Sequence, residues 1–351
     1  MNPATSFLHV PTAYGAPIGR AVVRAQPEDF LVREWLGFEA DGEGDHVLIK
    51  VRKRGANTFW VAKQLARVAK VPPHEIGYAG LKDRDAIAEQ SFTVPLRSAV
   101  GLDWVGVGGE GFEVLTASRH RRKLKRGALR GNEFVIVLRE FTGPPSALEE
   151  RLRRIGEQGV PNYFGPQRFG RAGNNLATAR RWFESGIQPE DRLQRGFAIS
   201  AARSAIFNAT LSERIARQTW NLLQPGDLAN LDGSGSIFAV ETLDETLRER
   251  CRTLDLHPTG PLWHGESTAS GPIHHLELDV ASRFPILADG LKQVALESER
   301  RALRVRVSDL QWSMANADAT LSFRLTKGAF ATAVLHEILG EAFTIETLDA
   351  E

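Results

Sequence analysis

The chain of 351 residues has a single cysteine, Cys251. One thiol cannot build an internal disulfide framework, which points to a reducing compartment. Long apolar runs are missing as well: no stretch approaches the ~18 consecutive apolar residues of a membrane helix. Residues 1–17 have no basic patch followed by an apolar run, so a secretory signal is not indicated. These absences predict a cytoplasmic protein that does not enter a membrane. Charge of one sign is also scarce, with 44 Lys and Arg against 43 Asp and Glu. The total therefore predicts no polyanionic partner, and only a local concentration of charge can do so. His264, His274 and His275 lack Cys or Glu partners at zinc-site spacing, so no metal is expected.

Several motifs fail on their context. Gly106-Val107-Gly108-Gly109-Glu110-Gly111 satisfies the glycine pattern of a dinucleotide site. The residues after it, Phe112-Glu113-Val114-Leu115, favour a strand where the pyrophosphate needs a helix. A glycine-rich hairpin turn accounts for it better. Asp41-Gly42-Glu43-Gly44-Asp45 alternates carboxylates like a calcium loop, but His46 stands where the glycine belongs and Arg52 where the bidentate Glu belongs. It reads as a polar hairpin between strands. No Gly-x-Ser-x-Gly elbow follows a strand, and no cofactor motif survives.

What is present is enough sequence for two domains, with 42% apolar residues to supply their cores. The first half alternates strands and helices. Residues 30–32, 47–51, 92–94 and 134–138 have the β-branched and aromatic content of strands. A helix starts at Asn57 or Thr58, with Val61, Leu65 and Val68 on one face, and Pro72-Pro73 ends it. Ser146 and Glu149 form a capping box for a second helix. From about Gly159 the character changes: helical stretches over 176–184 and 200–221 give way to loop-rich sequence, and a long charged helix over 287–303 returns the chain. Strands at 305–307 and 321–325 and a helix over 331–339 follow. This order predicts an α+β core domain split by an insertion.

Two local patterns carry chemistry. Between Arg119 and Arg130 stand seven Lys or Arg in twelve residues without one acid: Arg119, Arg121, Arg122, Lys123, Lys125, Arg126 and Arg130. Such a block is a candidate phosphate-binding strip, or a plain basic surface hairpin. The other is Ala79-Gly80-Leu81-Lys82-Asp83-Arg84-Asp85-Ala86, which follows the short apolar run Ile76 to Ala79. It reads as a buried strand delivering one carboxylate to a cleft edge between two cations. Cations that close lower a carboxyl pKa by roughly 1–3 units and keep it ionised. A loop with a surface salt bridge is the other reading of that triplet.

Around this loop the sequence resembles the TruD family of tRNA pseudouridine synthases, whose signature is Ala-Gly-x-Lys-Asp. Further blocks of the resemblance are Gln26-Pro27-Glu28-Asp29-Phe30, residues 53–58, 119–124, 131–134, 160–170, 200–204 and 328–332. They occur in family order, and only 242–285 matches loosely. The resemblance implies a pseudouridine synthase catalytic domain over 1–158 and 305–351, built on a mixed sheet flanked by helices. A family-specific α/β insertion (TRUD) domain over 159–304 would face it across a cleft. Asp83 is the implied nucleophile, attacking either the ribose or the pyrimidine ring, and Arg24 is its implied charge partner. Phe30 and Phe330 are implied to line the uracil pocket and Asn132 to contact the substrate. Phe134, two residues from Asn132 on an apparent strand, points to the same face. Arg168, Arg171 and Arg203 would join the basic strip in gripping the RNA backbone. The implied substrate is tRNA, at uridine 13 of tRNA(Glu) among others, and the chemistry needs no cofactor. A catalytically silent RNA-binding or RNA-folding module on the same fold is the alternative, which the joint presence of Asp83, Asn132, Phe30 and Phe330 disfavours.

Overall fold

The computed structural model describes residues 10–82, 86–98, 101, 103–340 and 343–345. In chain order the first elements are β1 (Ala21–Val23), β2 (Phe30–Trp35), β3 (His46–Lys53), α1 (Thr58–Ala69), β4 (Gly77–Tyr78) and β5 (Ile87–Pro95). Next come β6 (Gly108–Gly109), β7 (Phe112–His120), β8 (Gly131–Arg139) and α2 (Pro145–Gln158). A middle stretch contains β9 (Val160–Pro161), α3 (Asn174–Ser185), α4 (Arg192–Ala216), β10 (Leu228–Leu231), β11 (Ile237–Ala239) and α5 (Glu245–Arg252). It continues through β12 (Leu256–Leu262), α6 (Gly271–Ser282), α7 (Pro285–Gln293), β13 (Glu299–Ala302) and β14 (Arg304–Val305). The chain then adds β15 (Ser308–Ala315), β16 (Asp318–Thr326), α8 (Ala331–Leu339) and β17 (Phe343–Ile345).

These elements fall into two compact units. One comprises 19–146, 308–328 and 343–345; the other comprises 10–18, 147–307 and 329–340. The first is built on an eleven-stranded mixed sheet in the order β15-β16-β8-β2-β5-β3-β7-β6, with β1 joining β8 to β17 and β4 edging β5. Alternation sets its faces. Val47, Ile49 and Val51 of β3 are buried, as are Ala319, Leu321, Phe323 and Leu325 of β16, because successive strand side chains point to opposite sides. Helix α1 covers one face through Val61, Leu65 and Ala66, packed with Ile49, Phe92 and Val94. The Asn57 side chain caps it by accepting the Trp60 N–H at 2.8 Å, and Lys70 closes it in the left-handed conformation. The glycine-rich stretch is the turn expected of it: β6 pairs antiparallel with β7.

Three sequence expectations need correcting. The Asp41 to Asp45 stretch is not a hairpin between strands, because β5 lies between β2 and β3 in the sheet. Nor does Ser146 cap α2, which starts one residue earlier at Pro145. Proline at a first helical position gives up no hydrogen bond and has its φ already set, so it starts the helix ahead of the serine. The long charged helix over 287–303 is instead α7, ending at Gln293, followed by strand β13 paired with β12. Its charges are bound by tertiary contacts: the Arg300 guanidinium pairs with Glu277 at 2.5 Å and donates to the Thr259 carbonyl at 2.9 Å. Those partners lie far along the chain, where a helix-periodicity reading does not look.

The second unit packs α3, α6 and α7 around α4, whose small residues Ala198, Ala201, Ala202 and Ala205 are fully buried. A four-stranded sheet, β11-β10-β12-β13, completes it.

Candidate active site

Strand β4 lies antiparallel to β5, with Gly77 opposite Thr93 and Tyr78 opposite Phe92. Only glycine fits at 77: a Cβ there would stand 2.3 Å from the Thr93 hydroxyl. The chain beyond β4 is tied down by buried polar groups. Ala79 accepts the Gly127 N–H through its carbonyl at 2.7 Å, and the Gln90 amide donates to the Gly80 carbonyl at 2.7 Å. The Thr58 hydroxyl donates to Gln90 Oε1 at 2.9 Å and accepts the Lys82 N–H at 3.0 Å. Thr58 thus opens α1 and at the same time fixes the backbone one residue before Asp83. Asp83 itself, with Arg84 and Asp85, lies outside the described residues.

The Lys82 side chain reaches across the sheet. Its Nζ donates to Asn132 Oδ1 at 2.5 Å and stands 3.5 Å from Glu34 Oε1. The second oxygen of Glu34 accepts the Ser91 N–H at 2.9 Å. Lys82 and Glu34 are both buried, their side chains 7% and 1% exposed. Burial pushes the Glu34 carboxyl above its ordinary range, and attraction to Lys82 pulls it back. Burial lowers the Lys82 ammonium, and Glu34 opposes that shift. Each group is the main reason that the other can remain charged in a site with little water.

The register of β2 on β8 explains how these residues meet. Phe30, Val32 and Glu34 lie opposite Ile136, Phe134 and Asn132, so all six share one face. The apolar end of that face is an aromatic stack. Phe30 meets Phe134 edge-on at 6.2 Å, and Phe134 stacks on Phe323 at 5.5 Å. The Arg24 guanidinium lies over the Phe30 ring, 4.1 Å from its centre. Arg24 has φ +63°, a left-handed conformation that costs a non-glycine residue roughly 1–2 kcal/mol. Asp29 holds the following turn: it is fully buried, accepts the Gln26 N–H at 3.1 Å, and receives Arg139 at 2.6 Å. The block Gln26 to Phe30 is therefore a rigid 3-10 turn delivering Phe30 to the sheet face beside Arg24. Gly131 precedes Asn132 where β16 passes close by, and a Cβ would meet the Leu325 carbonyl at 2.1 Å.

The remaining candidates are spread over both units. Phe330 stands at the N-terminus of α8 in the second unit, 38% exposed. The basic strip begins on the end of β7 and is partly neutralised by the 41–45 segment. Arg121 pairs with Glu43, His120 contacts Asp41 at 2.7 Å, and Arg119 donates to the Gly44 carbonyl at 3.0 Å. Lys123 donates to the His74 carbonyl and Arg126 to the Tyr78 hydroxyl. Reading 119–130 alone missed these acids, which lie some eighty residues away in sequence. In the second unit Arg203 donates to the Leu262 and Glu297 carbonyls and pairs with Glu299 at 2.8 Å. Arg168 donates to the Ser200 hydroxyl at 2.9 Å and covers the Phe164 ring, while Arg171 is exposed. A cavity of about 950 Å³ is bounded by Arg52, Arg54, Asn57, Trp60 and Phe112, so the 53–58 block forms part of its wall. Glu34 and Gln90 were missed by sequence reasoning. The available signal was the even spacing from Phe30 to Glu34, which places the carboxylate on the same strand face.

The solved structure of a Methanosarcina mazei protein assigned as tRNA pseudouridine synthase D superposes with a TM-score of 0.74. That match covers 97% of this chain and 98% of the other at 21% identity. The fold is thus the α+β pseudouridine synthase fold with its insertion. The family profile described as tRNA pseudouridine synthase D (TruD) matches residues 15–181 and 174–338. Curated relatives named tRNA pseudouridine synthase D include one from Nitrosococcus oceani, 46% identical over 93% of both chains, and one from Methylococcus capsulatus, 42% identical over 95% of both. The chain belongs to the tRNA pseudouridine synthase D family of RNA-modifying isomerases.

Proposed function

We propose that this chain converts a uridine of tRNA to pseudouridine with Asp83 as the nucleophile, and that uridine 13 of tRNA(Glu) is a target. The reaction breaks the bond from C1′ to N1 of the base and forms one from C1′ to C5. N1 gains a proton and C5 loses one, so product and substrate are isomers. The observation that carries this reading is the cluster of Lys82, Glu34 and Asn132 on the sheet face that also holds Phe30 and Phe134. Polar groups that can hold a base edge lie there next to aromatic surface, one residue from Asp83. A base in folded RNA must be flipped out to reach such a face, at a few kcal/mol. In this reading Arg24 pairs with Asp83, Phe30 and Asn132 hold the base with Phe134 beside Phe30, and Phe330 contributes a further contact to the base. The catalytic domain is 1–158 with 305–351, the insertion 159–304. Incubation with total tRNA and with a tRNA(Glu) transcript, followed by chemical mapping of pseudouridine, tests the activity and the target together. tRNA binding without product would favour the silent RNA-binding module instead.

Phe330→Ala is expected to slow turnover more than it weakens tRNA binding. A stacked base contributes about 1–3 kcal/mol, roughly a 5- to 150-fold loss of rate, whereas tRNA affinity rests mainly on phosphate contacts. At 38% exposure the ring contributes little to a core, so the melting temperature should barely change. A large fall in melting temperature with unchanged rate would make Phe330 a packing residue. Phe30, at 5% exposure within the aromatic stack, is unsuited to the same test, because its truncation would cost about 3–5 kcal/mol of stability.

The basic strip should grip RNA through its least neutralised members. Arg122 and Lys125 form no ion pair within 4 Å among the described residues, whereas Arg121 is paired with Glu43. Replacing Arg122 and Lys125 by Gln is expected to flatten the plot of log affinity against log salt by about 0.7–0.9 for each phosphate that is no longer neutralised. Arg121→Gln should change it less. Equal slopes for wild type and the Arg122/Lys125 variant would mean that the strip does not touch RNA.

A further inference from the structure

Lys82 and Glu34 have no part in the family resemblance beyond Lys82's place in the signature, yet they form the most buried charged pair on the candidate face. The pair stands between two facing strands. Glu34 and Asn132 are directly opposite in the β2–β8 ladder, and the Lys82 ammonium closes on both from above. An ammonium has three donors and no acceptor, whereas a side-chain amide has one oxygen acceptor and two N–H donors. Only the oxygen of Asn132 can face Lys82; the amide turned over would place its N–H groups against the ammonium. This orientation follows from the chemistry of the partner and not from an assignment of amide atoms. Glu34, 3.5 Å from the amine, favours its charged and purely donating form, with its own second oxygen held by the Ser91 N–H at 2.9 Å.

We infer that Lys82 and Glu34 are positioning residues that lock Asn132 with its N–H groups presented to the substrate, so that Asn132 recognises a carbonyl oxygen of the target uracil. This rests on the proposed function, in which Asn132 contacts the flipped base. It narrows that reading, because an unrestrained amide could accept from the base N3–H as readily as donate to a carbonyl. It also gives the Lys of the signature a task separate from that of Asp83: its charge acts on the amide that holds the base.

The test uses tRNA carrying uridine, 2-thiouridine or 4-thiouridine at the target position. Sulfur replaces one carbonyl oxygen in each thio-base and is a much weaker acceptor. Wild-type enzyme should process one of the two thio-substrates about tenfold more slowly than uridine in single turnover, the value of about one neutral hydrogen bond. The double variant Lys82→Met/Glu34→Gln removes both charges together, leaves no unpaired ion, and retains an acceptor for the Ser91 N–H. It should turn over uridine about tenfold more slowly with tRNA affinity within about twofold, and its ratio between uridine and the thio-base should fall towards one. A merely structural role would slow all three substrates alike and leave the ratio unchanged, which would overturn the inference. So would a wild-type ratio near one for both thio-bases, a result that holds even if the double variant fails to fold. If instead wild-type enzyme forms no pseudouridine from uridine, the proposed function itself falls, and that result is distinct from a failure of discrimination.

Discussion

Asp83→Asn is expected to leave tRNA bound and unmodified. The substitution preserves the size and shape of the side chain but removes the carboxylate, and a neutral amide cannot form the covalent intermediate that splits the reaction into two steps. In the proposed reading Asp83 fills the acid position of the Ala-Gly-x-Lys-Asp signature, and Asp85 lies two residues beyond it in sequence. Asp85→Asn should therefore retain turnover. The informative comparison is single-turnover rate against tRNA affinity for both variants, because loss of an interaction made only during reaction lowers the rate without changing binding. Asp83→Asn turning over at more than about a tenth of the wild-type rate would remove it as nucleophile and transfer the role to Asp85. Equal loss in both variants, with weakened binding, would indicate a loop that positions RNA and takes no covalent part.

The parts of this fold that are legible in advance are those written in local composition and capping. The β-branched and aromatic content of Val47 to Val51 and of Phe134 to Leu138 predicts strands that the sheet contains, and Asn57 caps α1 as its side chain suggests. Pairing between distant segments is not legible in this way. Nothing near Gly42 indicates that β5 separates β2 from β3, so the segment reads as a hairpin. The acids that pair with Arg121 and contact His120 lie in that same segment. The charged run from Glu297 to Arg301 looks helical because its partners, Glu277 and Thr259, are set by tertiary packing. The same limit applies to the site. Phe30, Asn132 and Phe134 can be named from motif and strand parity, but Glu34 becomes meaningful only once the β2–β8 register places it opposite Asn132. The sequence alone suggests Lys82 as a neighbouring cation for Asp83; its side chain is directed to Glu34 and Asn132.

The largest effect on stability should come from the second unit, at Arg214 near the end of α4. Its side chain is 1% exposed and that of Asp227 is fully buried, and they pair at 2.8 and 3.0 Å. The guanidinium also donates to the Thr219 and Leu222 carbonyls, each at 2.9 Å. Asp227 in turn accepts the Gln224 N–H at 2.7 Å. One pair thus fastens the last turn of α4 to the bend that leads into β10. Arg214→Met would strand the Asp227 carboxylate in the interior, and breaking a buried pair from one side costs about 3–5 kcal/mol. Replacing both partners, as Arg214→Met/Asp227→Leu, removes the stranded charge and would be nearly neutral if the pair were all that mattered. Here it should recover only part of the loss: the Thr219 carbonyl keeps the Leu222 N–H at 3.2 Å, but the Leu222 carbonyl and the Gln224 N–H lose the partners described above, at about 1–3 kcal/mol for each that water cannot reach. Urea unfolding followed by helical signal measures both variants. A single variant within about 1 kcal/mol of wild type would mean that water enters the site and the pair is not holding α4. A double variant as stable as wild type would show that the carbonyls find other donors, and that Arg214 is needed only to neutralise Asp227.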